Sequence, residues 1–246
     1  MGFWAALQFL TIFPTPLRHE VHTKAFGQSL TYFPLVGLIL GAILFGLHYG
    51  LSLVLPASVV NVLLIIALVI LTGTHHLDGF TDTCDGIIAG KSKDERLAIM
   101  SDSKVGTFGI VGVILLLLLK YVSLSSVPIL PALLLMPILS RWTMVSVIFA
   151  FPYARSSGMG LFFKQGANWQ RLTIATVIAL IAAIMLLNWW GLVLMIALCL
   201  IVFGVASYFR SRLNGLTGDT YGAVNEIAEV LVLLLIIVIW KFDAGI

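Results

Sequence analysis

The sequence predicts an all-α polytopic membrane protein with about seven transmembrane helices and a short N-terminal interfacial or re-entrant helix. Three observations lead there. Of 246 residues, 60% are hydrophobic and 10% are charged, against roughly 25% charged in soluble domains, and the mean hydropathy is +1.09. The apolar stretches approach the ~20 residues that a helix needs to cross the hydrocarbon core. They also lack the period-two alternation of a membrane barrel, which leaves helices as the way to satisfy the backbone in lipid.

Met1–Phe13 is too short to span and stops at Pro14 and Pro16, with Trp4 suited to the headgroup level. It reads first as an anchor, and it is not expected to be a secretory signal, having neither a basic leader nor a small-residue cleavage site. Arg18, His19, Glu20, His22 and Lys24 form a polar linker. Spans are then expected at about Tyr32–Leu51, Ser58–His76, Val105–Leu124, Pro128–Phe151, Leu172–Asn188, Trp190–Tyr208 and Ala223–Trp240. In the first, Gly37 and Gly41 make a small-xxx-small pair that lets a neighbouring helix approach closely.

Lys and Arg accumulate in cytoplasmic loops. Alternating spans put Arg18, Lys24, Lys91, Lys93, Arg96, Lys104, Arg155, Lys164, Arg171, Arg210 and Arg212 on one side, and leave uncharged turns near Pro56, Ser125 and Trp189 on the other. The N-terminus is therefore expected in the cytoplasm and the C-terminus outside, with Lys120 close enough to a span end to snorkel outward. The pI near 9.0 follows from this topology, and no basic face with aromatic readers calls for nucleic acid. Cys84 and Cys199 provide no disulfide framework.

Joining the second and third apolar runs is His75–Gly109, which overlaps the ends of both spans and holds Asp78, Asp82, Asp85, Asp94, Glu95 and Asp102, six of the eleven acids. Asp78, Asp82 and Asp85 are spaced four and three apart and share one face of a helix. Bare carboxylates so placed raise one another's pKa, and a hard divalent cation relieves them. A second block, Asn214–Val230, frames Asp219 with Gly215, Gly218 and Gly222 at a helix start, a setting for phosphate or for an ordinary helix cap. Glu226 and Glu229 follow on one face at the membrane edge, where ionisable groups need a partner or a task. Arg141, inside the fourth span, has two readings: an ion pair with one of those acids, or contact with substrate phosphate. His75 and His76 are read as orienting or substrate-binding groups or as interfacial structural residues, and Arg96 and Lys104 as phosphate-binding candidates as well as parts of a cytoplasmic basic loop. A carboxylate-held metal beside several cations suits phosphate or pyrophosphate chemistry.

HLDGFTDTCDG, KDERLAIMSDSKVGTFG, YFPLVGLILG and GLTGDTYGAVNEIAE together resemble the cobalamin synthase family, in four blocks over most of the chain. The resemblance implies one integral-membrane catalytic domain, residues 1–246, in the bacterial inner membrane with its active site cytoplasmic. It implies a transferase that joins adenosylcobinamide-GDP to α-ribazole or its 5′-phosphate, releases GMP and uses Mg²⁺. On that reading Asp78, Asp82 and Asp85 are catalytic and metal-binding, with Asp102 next. His76, Arg96, Lys104, Arg141, Asp219, Glu226 and Glu229 are substrate-binding, and Tyr32, Phe33, Trp142 and Tyr153 are candidates for the corrinoid surface. A homo-oligomer is compatible with the sequence.

A more distant similarity is to CDP-alcohol phosphotransferases. Asp82, Asp85 and Gly86 fit the start of their D-x-x-D-G core, and Gly90 and Asp94 fit part of the rest, but Ala98 stands where the last Asp would be. Asp102 or a residue near Asp219 is the expected replacement. A lipid phosphotransferase of that type is the first alternative function, and a cation transporter, with acids deep in several spans, is the second.

Overall fold

A computed structural model describes residues 1–16 and 23–243. Arg18, His19, Glu20 and His22 of the polar linker lie outside the described residues, as does the side chain of Lys24. The described chain forms twelve α-helices: α1 (Gly2–Leu10), α2 (Thr23–Ser29), α3 (Phe33–Leu51), α4 (Ala57–Leu71), α5 (His75–Ala89), α6 (Lys93–Ile99), α7 (Thr107–Leu124), α8 (Ile129–Ala150), α9 (Met159–Gly166), α10 (Trp169–Leu187), α11 (Trp189–Leu213) and α12 (Gly218–Asp243). Six helices are long and apolar enough to cross a membrane, and up to seven if the bent pair α4–α5 contributes one span. With α4 as the seventh crossing, α5 leaves it at 90° and lies across the end of the bundle.

The bend has a local cause. After α4, Gly73 and Thr74 both take positive φ, which ends the helix, and α5 restarts at His75. The expected second span ran on to His76, and the structure stops it at Leu71. The backbone amide of Ile12, just past α1, donates to the Leu71 carbonyl at 2.9 Å. This contact ties the N-terminal helix to the corner where α5 begins.

α8 is apolar over most of its surface and buried almost throughout, as a central helix must be. It packs on α3, where Gly37 and Gly41 perform the close approach that their spacing predicts. A Cβ on Gly41 would stand 2.8 Å from the Leu133 carbonyl oxygen of α8, so a larger residue there would push the two helices apart. That carbonyl has no amide partner four residues on, because the residue there is Pro137. Outer faces of α7, α10 and α11 expose Ile114, Leu118, Ile181, Ile196 and Leu200, the arrangement of a bundle whose solvent is lipid. On the inner face of α10, Ala175, Ala179 and Ala183 form a fully buried stripe of small residues.

α12 packs against both α8 and α5. Its start is held by reciprocal bonds: the Thr217 amide donates to the Thr220 hydroxyl at 2.7 Å, and the Thr220 amide to the Thr217 hydroxyl at 3.2 Å. Leu216, just before, exchanges backbone hydrogen bonds of 2.8 Å with Pro152 and Ala154. The loop after α8 is thereby fastened to the beginning of α12.

Candidate active site

These connections bring residues distant in sequence to one end of the bundle. α5 can lie against α12 because residue 79 has no side chain: a Cβ on Gly79 would stand 2.8 Å from the Asp219 carbonyl oxygen. The acidic face of α5 consequently meets the acidic start of α12. The fastened loop carries Arg155, which makes an ion pair of 2.9 Å with Asp219.

A cavity of about 410 Å³ opens beside this junction, within the usual range of ligand sites. His75, His76, Asp78, Arg155, Asp219 and Tyr221 supply its polar wall. The remaining wall is largely apolar, with Phe9 of α1, Phe26 of α2, Met144 and Ile148 of α8 and Phe163 of α9. Phe163 is the hub of that wall, 4.5 Å from the Phe9 ring centroid and 5.5 Å from that of Phe26. α1 is therefore a wall of the cavity as well as any anchor.

Asp82 lies one turn beyond Asp78. Burial, with the charges of Asp78, Asp219 and Asp85, raises its pKa to about 6, and Arg155 opposes the rise. Among the described residues, Arg155 is the one cation in an ion pair with this acidic group. Asp85 is engaged differently: its two oxygens accept the backbone amides of Gly106 at 2.7 Å and Gly109 at 2.9 Å. It caps the start of α7, where a carboxylate meets the positive end of the helix. No three His, Cys, Asp or Glu side chains among the described residues close into a metal cage.

Several expected site residues lie elsewhere. Asp102 and Lys104 are exposed on the loop before α7, where the Lys104 amide donates to Asp102 at 3.2 Å. Arg96 of α6 reaches the Arg212 carbonyl at 3.4 Å. None of the three lines the cavity. Of the aromatic candidates, Tyr153 lines it, whereas Phe33 and Trp142 are buried in the core and Tyr32 packs on Phe3.

Arg141, Glu226 and Glu229 also stand behind the cavity wall rather than in it. Glu226 and Glu229 are 4% and 0% exposed, about 12 and 16 Å along α12 from its start at 1.5 Å per residue. The position of Lys120 corrects the sequence reading outright: it is buried and turned inward, 2.6 Å from Glu226 and 2.5 Å from Glu229. Arg141 pairs with the other oxygen of Glu229. Two cations offset two anions, because carboxylates at that depth cannot stay charged alone. Asn225 joins the cluster to the cavity, its side-chain nitrogen lying 3.2 Å from both Glu229 and Nδ1 of His76.

Arg155, Tyr221, Lys120 and Asn225 escaped the sequence reading as site or supporting residues. The cue for Arg155 was a cation directly after a span end, which the charge rule had already used. Asn225 had a cue in its position, a polar side chain one turn before Glu229 and directly before Glu226.

Comparison with known proteins places the sequence in a family. The cobalamin-5-phosphate synthase model matches residues 2–237. The adenosylcobinamide-GDP ribazoletransferase of Geotalea daltonii is 37% identical over 96% of this chain and 97% of its own length. Those of Desulforamulus reducens and Desulfitobacterium hafniense are 37% and 40% identical, each over 94% of both chains. No solved structure matches the chain. A match of this extent, across every element that builds the cavity, makes the chain a member of the cobalamin-5-phosphate synthase family.

Proposed function

We propose that this protein is an adenosylcobinamide-GDP ribazoletransferase that works at the end of the bundle where α5 meets α12. The observation that carries the reading is the cavity itself, which sets an under-compensated carboxylate group and one arginine against an aromatic wall. A ribose hydroxyl of α-ribazole or its 5′-phosphate attacks the phosphorus bonded to cobinamide, a new P–O bond forms, and the bond to GMP breaks. The hydroxyl proton passes to a carboxylate of the cluster. Arg155 neutralises phosphate charge, and the aromatic wall receives the flat base of the ribazole. The cavity is too small for a corrin ring with its side chains, which stay outside it.

Mg²⁺ is the proposed cofactor. Asp78, Asp82 and Asp219 are the residues that would hold it, with Asp219 taking the place first assigned to Asp85, whose oxygens already serve the start of α7. Asp219 also answers the departure at Ala98 from the phosphotransferase pattern. The fit is supported by the burial and, after it, the repulsion from Asp78, Asp219 and Asp85 that together raise Asp82. A preformed cage is not required, because Mg²⁺ keeps several waters and is commonly held by one or two carboxylates together with substrate phosphate. When bound, it would neutralise charge on the transferring phosphoryl group and on departing GMP.

The whole chain acts as one catalytic domain, which is supported by a cavity drawing on α1 at one end of the sequence and α12 at the other. The bacterial inner membrane, with the site facing the cytoplasm, is supported by the basic loops at the cavity end. A cation pathway is less well supported, since Glu226 and Glu229 are sealed by Lys120 and Arg141.

The test uses purified protein in lipid with Mg²⁺, adenosylcobinamide-GDP and α-ribazole 5′-phosphate. Release of GMP with formation of the joined corrinoid is expected. Failure to release GMP with any divalent metal would remove the assignment.

A further inference from the structure

The link between the buried ion cluster and the cavity determines which nitrogen of His76 carries hydrogen. Glu229 is held as an anion by Lys120 and Arg141. The group of Asn225 that faces it at 3.2 Å must therefore be a donor, the amide nitrogen and not the amide oxygen. The same nitrogen lies 3.2 Å from His76 Nδ1. An NH₂ group has two hydrogens, one for each neighbour, so Nδ1 receives a hydrogen bond and carries no proton. The imidazole is thus neutral, with its hydrogen on Nε2.

His76 is 4% exposed and lines the cavity, yet Nε2 has no partner among the described residues. Tyr221, 3% exposed in the same wall, likewise has an unpaired hydroxyl. Buried donors are rarely left alone. Two in one wall of a cavity point to a ligand acceptor.

We propose that His76 is a fixed hydrogen-bond donor, presenting Nε2–H beside the Tyr221 hydroxyl to a phosphate oxygen of the substrate. Asn225, Glu229, Arg141 and Lys120 are positioning residues that lock this tautomer. His76 is then not the general base, since Nε2 is already protonated and Nδ1 faces the amide, which leaves proton abstraction to the carboxylates. The identity of the acceptor rests on the phosphoryl-transfer reading, but the tautomer does not. Both substrates can carry phosphate, so the kinetic arm separates them by their individual KM values.

The experiment uses the full chain in lipid bilayers with ¹⁵N-labelled histidine, the His76 signal being assigned by its loss in His76→Gln. A protonated Nε2 with a bare Nδ1 is expected, and a shift toward the Nδ1–H form in Asn225→Leu. His76→Gln, whose amide offers a donor near the Nε2 position, should turn over within roughly tenfold of the native rate, whereas His76→Leu should lose roughly 10²–10³-fold. The substrate whose KM rises in His76→Leu carries the contacted phosphate.

A bare Nε2 in the native protein would overturn the proposal, and so would a Gln variant as inactive as the Leu variant. An unchanged tautomer in Asn225→Leu would remove the positioning role. If that variant fails to fold, the native spectrum and the Gln–Leu comparison decide. Absence of GMP release by the native protein would defeat the assigned reaction while leaving the tautomer measurable.

Discussion

Asp219 and Glu229 stand on one helix about three turns apart, and their surroundings are opposite. Glu229 is fully buried against Lys120, Arg141 and Asn225, with each of its oxygens paired to a cation. Asp219 has Arg155 as its one cation among the described residues, at a partly exposed bridge, with the Thr217 hydroxyl donating at 3.3 Å, and shares its neighbourhood with Asp78 and Asp82. The inner group is a finished structure, neutral overall and shut away. The outer group carries more negative charge than its one arginine offsets, and it opens on a cavity. Charge left uncompensated at an accessible place is a requirement for something that arrives, whether a cation or a substrate's cationic complex.

The largest effect expected from this contrast is on turnover. Asp82→Asn removes one charge from the outer group and relieves repulsion, so the fold should be kept or slightly stabilised while GMP release falls by roughly 10²–10³-fold or more. Thermal unfolding in detergent and the GMP assay measure the two halves. Near-native turnover would take Asp82 out of the site.

The inner group should respond in the reverse sense. Lys120→Met leaves Glu226 and Glu229 facing Arg141 alone, and breaking a buried ion pair from one side costs roughly 3–5 kcal/mol. The double change Lys120→Met with Glu226→Gln leaves one cation and one anion and should recover much of that loss, which chemical denaturation in matched micelles would reveal. A single variant as stable as the native protein would show that the cluster is not needed to hold α7 on α12.

The same contrast explains how much could be read in advance. Span positions were legible because each depends on a local apolar run, and Gly37–Gly41 because its spacing alone marks a close approach. The meeting of Asp78 with Asp219 was partly legible, since both blocks fell on one side of the membrane by charge sorting. What stayed hidden depends on three-dimensional partners. Charge sorting records the side chain's place in the chain, so it sent Lys120 outward, when burial of two glutamates had drawn it in. Lys104 and Arg96 were chosen for nearness in sequence to the acidic face and Asp102 as the replacement for the acid missing at Ala98, but the turn after α5 carries them off to an exposed loop and to α6. α1 gave no sign of being a wall, because nothing in Met1–Phe13 reveals that Ile12 bonds to the end of α4.

The smallest structural effect and a sharp kinetic one are expected at Arg155. Its bridge to Asp219 is about a quarter exposed on both sides, and pairs so placed contribute only about 0–1 kcal/mol after solvent screening. Arg155→Ala should therefore unfold at nearly the native temperature. If Arg155 neutralises phosphate equally in the bound substrate and in the transition state, the loss appears in KM with kcat preserved. A roughly tenfold rise in KM for adenosylcobinamide-GDP corresponds to about 1.4 kcal/mol of lost binding. Arg155→Lys keeps the charge but not the planar fork and should fall between the two. An unchanged KM in Arg155→Ala would mean that the arginine serves only to aim Asp219, and the outer group would then have no cation of its own committed to substrate.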